Sequence, residues 1–314
     1  MKKILFAALA LAAMVSCSKE YTIDNNKQVI AFGDVFVNNG TRADYSSNNK
    51  DVTAFKVYGT VDGNENSTPV YIFDGANVTK PTGNYYDNGA YNSTIAWVYD
   101  QTQYWIPGAS YAFTAVVDGE LTEEHTAIEF TVTDGDGDLL YATATASVED
   151  DGTVNDLTNN LVAFSFDHLL SKLQFVTPTH NMGSDYKVVV TDIQVDGVMA
   201  NGVYTIATGK WAADGNGTTP TPLSFVDDEG AFQSRQILPL EQTLNVTINY
   251  DIYFGTTAIS SVEKTGTISS KEFAKGLVYT ITPNITANEI KFTVKSVDGW
   301  ETDINDSDID ITLQ

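Results

Sequence analysis

The chain has 314 residues, and its 41 acidic side chains against 17 basic ones give a formal charge of −24. A surface of that sign repels nucleic acid and anionic membrane faces, which excludes both as electrostatic partners. The acids are scattered and 42% of the residues are hydrophobic, which argues against a disordered chain.

The first element is an export signal. Met1-Lys2-Lys3 is basic, and Ile4 to Met14 forms an apolar stretch of about eleven residues, too short to span a bilayer at roughly twenty. It runs through Val15-Ser16 into Cys17, the chain's single cysteine. Residues 1–16 therefore read as a lipoprotein signal peptide, with Cys17 lipidated and made the new N-terminus. An ordinary secretory signal with a chance cysteine is the alternative. With no second cysteine there is no intramolecular disulfide, so stability must come from core packing. Removal of residues 1–16 takes the formal charge from −24 to −26 and leaves 298 residues, more than one core usually serves.

Residues 17–28 are polar and read as a tether. From Val29 the pattern has period two. Val29–Val37 carries bulky residues at Ile30, Phe32 and Phe36. Ala54–Val61, Tyr111–Val117, Ile128–Val132, Lys187–Ile193, Leu244–Tyr250 and Ile290–Val294 are similar, rich in β-branched and aromatic residues and punctuated by Gly, Asn and Asp turns. No amphipathic helix emerges beyond short turns, the nearest to one at His168–Leu173. Many short strands with turn punctuation give an all-β sandwich or barrel. Gly108-Ala109-Ser110-Tyr111-Ala112-Phe113-Thr114 is echoed by Gly276-Leu277-Val278-Tyr279-Thr280-Ile281-Thr282. Two tandem sandwiches would produce that echo. The polar stretch Glu149–Asp156 places their boundary near residue 160, giving 29–160 and 161–300, with 301–314 as a C-terminal tail.

Signals for chemistry are few. His125, His168 and His180 have no ligand-type spacing and read as buried or hydrogen-bonded structural residues. No nucleophile elbow, phosphate loop or His-Glu-x-x-His motif is present, so the chain reads as a non-enzyme without a cofactor. Asp134-Gly135-Asp136-Gly137-Asp138 begins like a calcium loop, but Leu139 stands where that loop needs Gly and Thr145 where it needs Glu. An acidic hairpin turn is expected there, and no metal site. Tyr85, Tyr86, Tyr91 and Trp97 lie in a Gly/Asn-rich region and are the candidate exposed contact surface.

Several of these stretches, in order and spacing, resemble the fimbrillin family of Bacteroidetes. They are Ile30-Ala31-Phe32 with Thr41-Arg42-Ala43, Tyr104-Trp105-Ile106-Pro107 leading to Tyr111-Ala112-Phe113, and Asp138-Leu139-Leu140-Tyr141-Ala142. Val162–Phe175 with its His168-Leu169-Leu170-Ser171-Lys172-Leu173 core follows, then Leu238-Pro239, Gly276–Thr282, Ile290-Lys291-Phe292 and Val297-Asp298-Gly299-Trp300. The resemblance implies two transthyretin-like (Ig-like) β-sandwich domains. It implies a lipid-anchored precursor at the outer membrane, cut by a surface protease after an arginine or lysine. It also implies polymerisation with other fimbrial subunits by strand exchange, serving adhesion or biofilm formation.

The residues fit that scheme. The chain holds two arginines, Arg42 and Arg235. Arg42-Ala43 lies in a polar, glycine-containing segment directly after the first strand, the kind of loop that proteases nick. A cut there would release Ile30, Phe32 and Phe36 together with the lipid and open a groove that another strand could fill. The tail supplies a candidate donor, with Ile309, Ile311 and Leu313 alternating against Asp308, Asp310 and Thr312. The same tail could instead be the last strand of its own domain. The alternative function is a non-polymerising surface lipoprotein that binds glycan or host protein.

Overall fold

The computed structural model describes residues 28–38, 52–62, 69–80, 86–87, 90–91, 96–155, 157, 160–214, 222–227, 230–286 and 290–298. The described residues are all-β, without a helix. In chain order the strands of the first half are β1 (Phe32–Asn38), β2 (Ala54–Asp62), β3 (Val70–Thr79), β4 (Tyr86–Asp87), β5 (Ala90–Tyr91), β6 (Val98–Tyr99), β7 (Ser110–Val117), β8 (Ala127–Thr131), β9 (Leu140–Val148), β10 (Val154–Asn155) and β11 (Val162–His168). The second half holds β12 (Ser171–Phe175), β13 (Thr179–His180), β14 (Tyr186–Asp196), β15 (Asn201–Thr205), β16 (Lys210–Ala213), β17 (Leu223–Ser224), β18 (Ser234–Ile237), β19 (Glu241–Phe254), β20 (Thr257–Glu272), β21 (Leu277–Ile285) and β22 (Ile290–Asp298).

Alternation drives these strands. In β19, Leu244, Val246, Ile248 and Tyr250 are buried while Thr243, Asn245, Thr247 and Asn249 face the other way. Each buried apolar side chain of this size is worth about 1.5–3 kcal/mol.

One sheet runs β1-β11-β9-β7-β2-β3-β6, with β10 beside β9. Its apolar face forms a cluster that includes Phe32, Phe55, Phe73, Trp97, Phe113 and Phe164. A second cluster lies between the sheets β13-β21-β12-β18, with β22 beside β21, and β17-β14-β19-β20. A small sheet, β16-β15-β8, joins it. The first half of the sequence contributes here: β8 pairs with β15, and Leu121, Ile128, Val132 and Leu139 pack in the second cluster.

The chain leaves the first sheet at the end of β11 and enters the second cluster at Leu169. Val162, Phe164 and Phe166 alternate inward beside β1, and Leu169 and Leu170, directly after them, pack in the other core. For the same reason His168–Leu173 is not a helical turn. It is the end of one strand, two buried leucines and the start of the next.

The sequence echo is a repeated corner. Gly108 and Gly276 adopt φ of +73° and +72°, a left-handed conformation that glycine takes without steric cost. Tyr111 then accepts a 2.7 Å hydrogen bond from the Ile106 N–H, and Tyr279 accepts one of 2.8 Å from the Ala274 N–H. An aromatic ring six residues before each tyrosine meets it edge-on. Trp105 lies 4.7 Å from Tyr111 and Phe273 lies 4.9 Å from Tyr279.

Candidate functional site

The first strand lies in a groove that holds it from both edges. Along β1 the partner is β11, parallel, from Phe32↔Val162 to Asn38↔Asp167. Its lead-in pairs elsewhere: the Ile30 N–H donates to Gln103 O at 2.9 Å, and the Trp105 N–H donates to Gln28 O at 3.0 Å. The Trp97 N–H donates to Phe32 O at 2.8 Å. The Tyr99 hydroxyl donates to Ile30 O, and burial raises its pKa above the ordinary tyrosine value. Residues 97–105 flank β6, the far end of the sheet, so residues 28–38 bridge the two ends of the strand path.

Sequence dictates this local shape through Gly33. A Cβ there would stand 2.5 Å from Leu161 Cδ1 and 3.2 Å from Leu161 Cβ, so a side chain could enter only if Leu161 moved. The register shifts between Gly33 and Val35. A bulge of this kind reverses which residues face inward. Ile30 and Phe32 are buried before it, and Val35 and Val37 after it. Phe36 is therefore not the inward residue that unbroken alternation predicts. It sits half-buried on the opposite face from Val35 and Val37.

Phe32 is the hub. Its ring lies within 5.4–6.2 Å of Phe73 on β3, Tyr99 on β6, Phe113 on β7, Phe164 on β11 and Phe55 on β2. Five of the sheet's strands thus meet one ring carried by β1. The Trp97 and Trp105 side chains are also buried, and neither indole Nε1 has a hydrogen-bond partner among the described residues. Trp97 packs 5.2 Å from Phe55, so it is a core residue and not part of an exposed contact surface. Tyr86 and Tyr91 pair across the β4–β5 hairpin, and Tyr85 lies outside the described residues.

The remaining site residues divide sharply. Cys17, Arg42, Ala43, Ile309, Ile311 and Leu313 all lie outside the described residues. Val35, Val37, Leu161 and Tyr99 belong to the groove but were not singled out from sequence. The Gly33-Asp34 pair inside an apolar run was the available signal, since glycine within a strand often marks a bulge. His125 Nε2 bonds Asp74 Oδ1 at 2.9 Å, with the His125 ring stacked on Tyr71 at 4.1 Å. His168 Nδ1 bonds Asp138 Oδ1 at 3.0 Å. The acidic turn sends its carboxylates to three places: Asp134 accepts from the Asp136 N–H, Asp136 meets Arg235, and Asp138 meets His168. This arrangement binds an extended strand by ladder hydrogen bonds and apolar burial.

A fimbrillin-like family model matches residues 41–300. No curated protein matches the chain by sequence. Among solved structures, a fimbrial protein from Bacteroides vulgatus is similar at 19% identity and a TM-score of 0.53, covering 87% of this chain and 100% of its own. A candidate cell adhesion protein from Bacteroides uniformis is similar at 17% identity and 0.54, covering 86% and 97%. Another from Bacteroides ovatus is similar at 14% and 0.53, covering 88% and 99%. At these identities the likeness is one of fold.

Proposed function

This chain belongs to the fimbrillin-like family, and from that premise we propose that it is a structural subunit of a cell-surface fimbria that serves adhesion or biofilm formation. In this reading residues 29–160 and 161–300 correspond broadly to two transthyretin-like domains. The precursor is exported and held at the outer membrane by a lipid on Cys17. A surface protease cuts after Arg42, and other fimbrial subunits join through strand exchange, with Ile309, Ile311 and Leu313 as the donor residues.

The observation that carries the reading is the seat of β1. The strand buries Ile30, Phe32, Val35 and Val37 and bonds to both ends of one sheet. It precedes Arg42 in the chain, so a cut after Arg42 leaves it attached to the rest by hydrogen bonds and packing alone. Before the cut the covalent link keeps it at high effective concentration; afterwards an incoming strand competes on equal terms. The alternating sequence Ile309–Leu313, once paired in the groove, would supply a comparable set of apolar side chains and a fresh set of ladder donors and acceptors.

The test is cleavage by an arginine-specific protease, N-terminal sequencing of the product and electron microscopy. A new N-terminus at Ala43 together with fibres supports the proposal. A cleanly cut chain that stays monomeric, and that is retained on a glycan array, would replace it with the non-polymerising surface lipoprotein.

A further inference from the structure

The acidic turn at Asp134–Asp138 and the second arginine have no part in the function proposed above, yet the fold brings them together. We propose that the turn is a clasp that withdraws Arg235 from arginine-directed proteolysis and so leaves Arg42 as the processing point. This rests on the reading that the precursor is cut after an arginine.

Arg235 lies on β18, four residues long and at the end of its sheet path. A short edge strand opens easily, because only one neighbour holds it. Here the second edge is held as well. Leu173↔Arg235 pairing with β12 covers one side, and on the other the Gln236 N–H donates to Gly135 O at 2.7 Å. The side chain is tied independently. Nη1 donates to Asp136 Oδ1 at 2.6 Å and to Ser234 O at 3.2 Å, and Nε donates to Ser224 O at 2.8 Å. The guanidinium side chain is only 18% exposed.

The turn is shaped for this contact. Gly135 has φ +76°, and a Cβ on it would lie 2.9 Å from Arg235 Cβ and 3.2 Å from Gln236 O. Any larger residue would lift the turn off the strand. Asp134 Oδ1 accepts from the Asp136 N–H at 3.0 Å and aims the turn, while Asp138 anchors its far end on His168. A protease must take up the backbone on both sides of the cut, so a paired strand is cut only after it opens locally. At Arg235 that requires peeling β18 from β12, from Gly135 and from the Asp136 and Ser224 contacts together.

The experiment treats the full chain with an arginine-specific endoprotease and follows fragments by mass spectrometry. The wild type should be cut after Arg42 and resist cutting between Arg235 and Gln236. Asp136→Ala and Gly135→Val should each speed the second cut by about tenfold or more, since proteolysis tracks the population of the open form. Phe55→Leu, which loosens the other core, should not. Wild-type cutting at Arg235 as fast as at Arg42 would overturn the clasp, and so would an Asp136→Ala chain that stays intact there. Protection of Arg235 with no cut after Arg42 would uphold the clasp and overturn the processing reading.

Discussion

Phe32 concentrates more of the first core than any other side chain of β1. Its ring touches rings on five strands, so its truncation leaves a cavity that no single neighbour can fill. Phe32→Ala should lower unfolding free energy by about 3–5 kcal/mol in a urea titration. The described tryptophans separate in a different way. Trp211 Nε1 donates to Leu169 O at 2.8 Å, whereas Trp97 Nε1 and Trp105 Nε1 are buried without an acceptor among the described residues. A buried donor left unpaired costs about 1–3 kcal/mol, and removing that donor recovers it. Trp211→Phe should therefore shift the urea midpoint down further than Trp97→Phe or Trp105→Phe. Equal shifts for all three would mean that ring volume alone decides. The two unpaired donors also mean that β1 does not satisfy every polar group in the groove it fills.

At the scale of the element, β1 is defined by Gly33 and the bulge beside it. Gly33→Val should clash with Leu161 and loosen the strand without touching the second cluster. Hydrogen exchange would show the effect as faster exchange at the β11 amides, while β19 and β14 amides keep their protection. Uniform loss of protection across both clusters would show that β1 is not a separable unit. The two tyrosine corners make a matched pair of controls. Tyr111→Phe and Tyr279→Phe each strand one backbone N–H, of Ile106 and Ala274 respectively, and should each cost about 1–3 kcal/mol. The echo that announced these corners was readable in sequence because glycine, tyrosine and their spacing are all local. The aromatic partner six residues upstream was not, since Trp105 and Phe273 differ in kind and only packing shows their common role.

For the molecule as a whole, His168 is the titratable group at the crossing between the cores. It ends β11, faces Asp138 from the acidic turn, and has Asp167 and Lys172 nearby. Burial is the largest influence and lowers its pKa below the ordinary histidine value, although the Asp138 hydrogen bond and charge act the other way. The folded state therefore binds a proton less readily than the unfolded one. The resulting stability is complete above the unfolded pKa of about 6.5 and is lost as pH falls below it towards the lower folded value. The urea midpoint should drop between about pH 7 and pH 5, and His168→Gln should flatten that part of the profile. A variant whose profile matched the wild type would remove His168 from the account.

The sequence alone determined the all-β class, most strand positions, the buried alternation within them and the repeated corner, because each depends on residues a few positions apart. It also determined the resemblance to fimbrillins, which rests on the order of short stretches. Tertiary structure decided the rest. Phe36 lost its inward place because the register shifts between Gly33 and Val35, a feature of how β1 pairs with distant β11. Trp97 moved from a supposed surface into the core because the Gly/Asn-rich stretch beside it says nothing about what Phe55 packs against. β8 pairs with β15, far along the chain, because strand partners are chosen by long-range burial. The acidic turn met Arg235 across 99 positions of chain, a pairing set by how the second core brings the flanks of the turn, Val132 and Leu139, beside β18 and by nothing in the spacing of either motif.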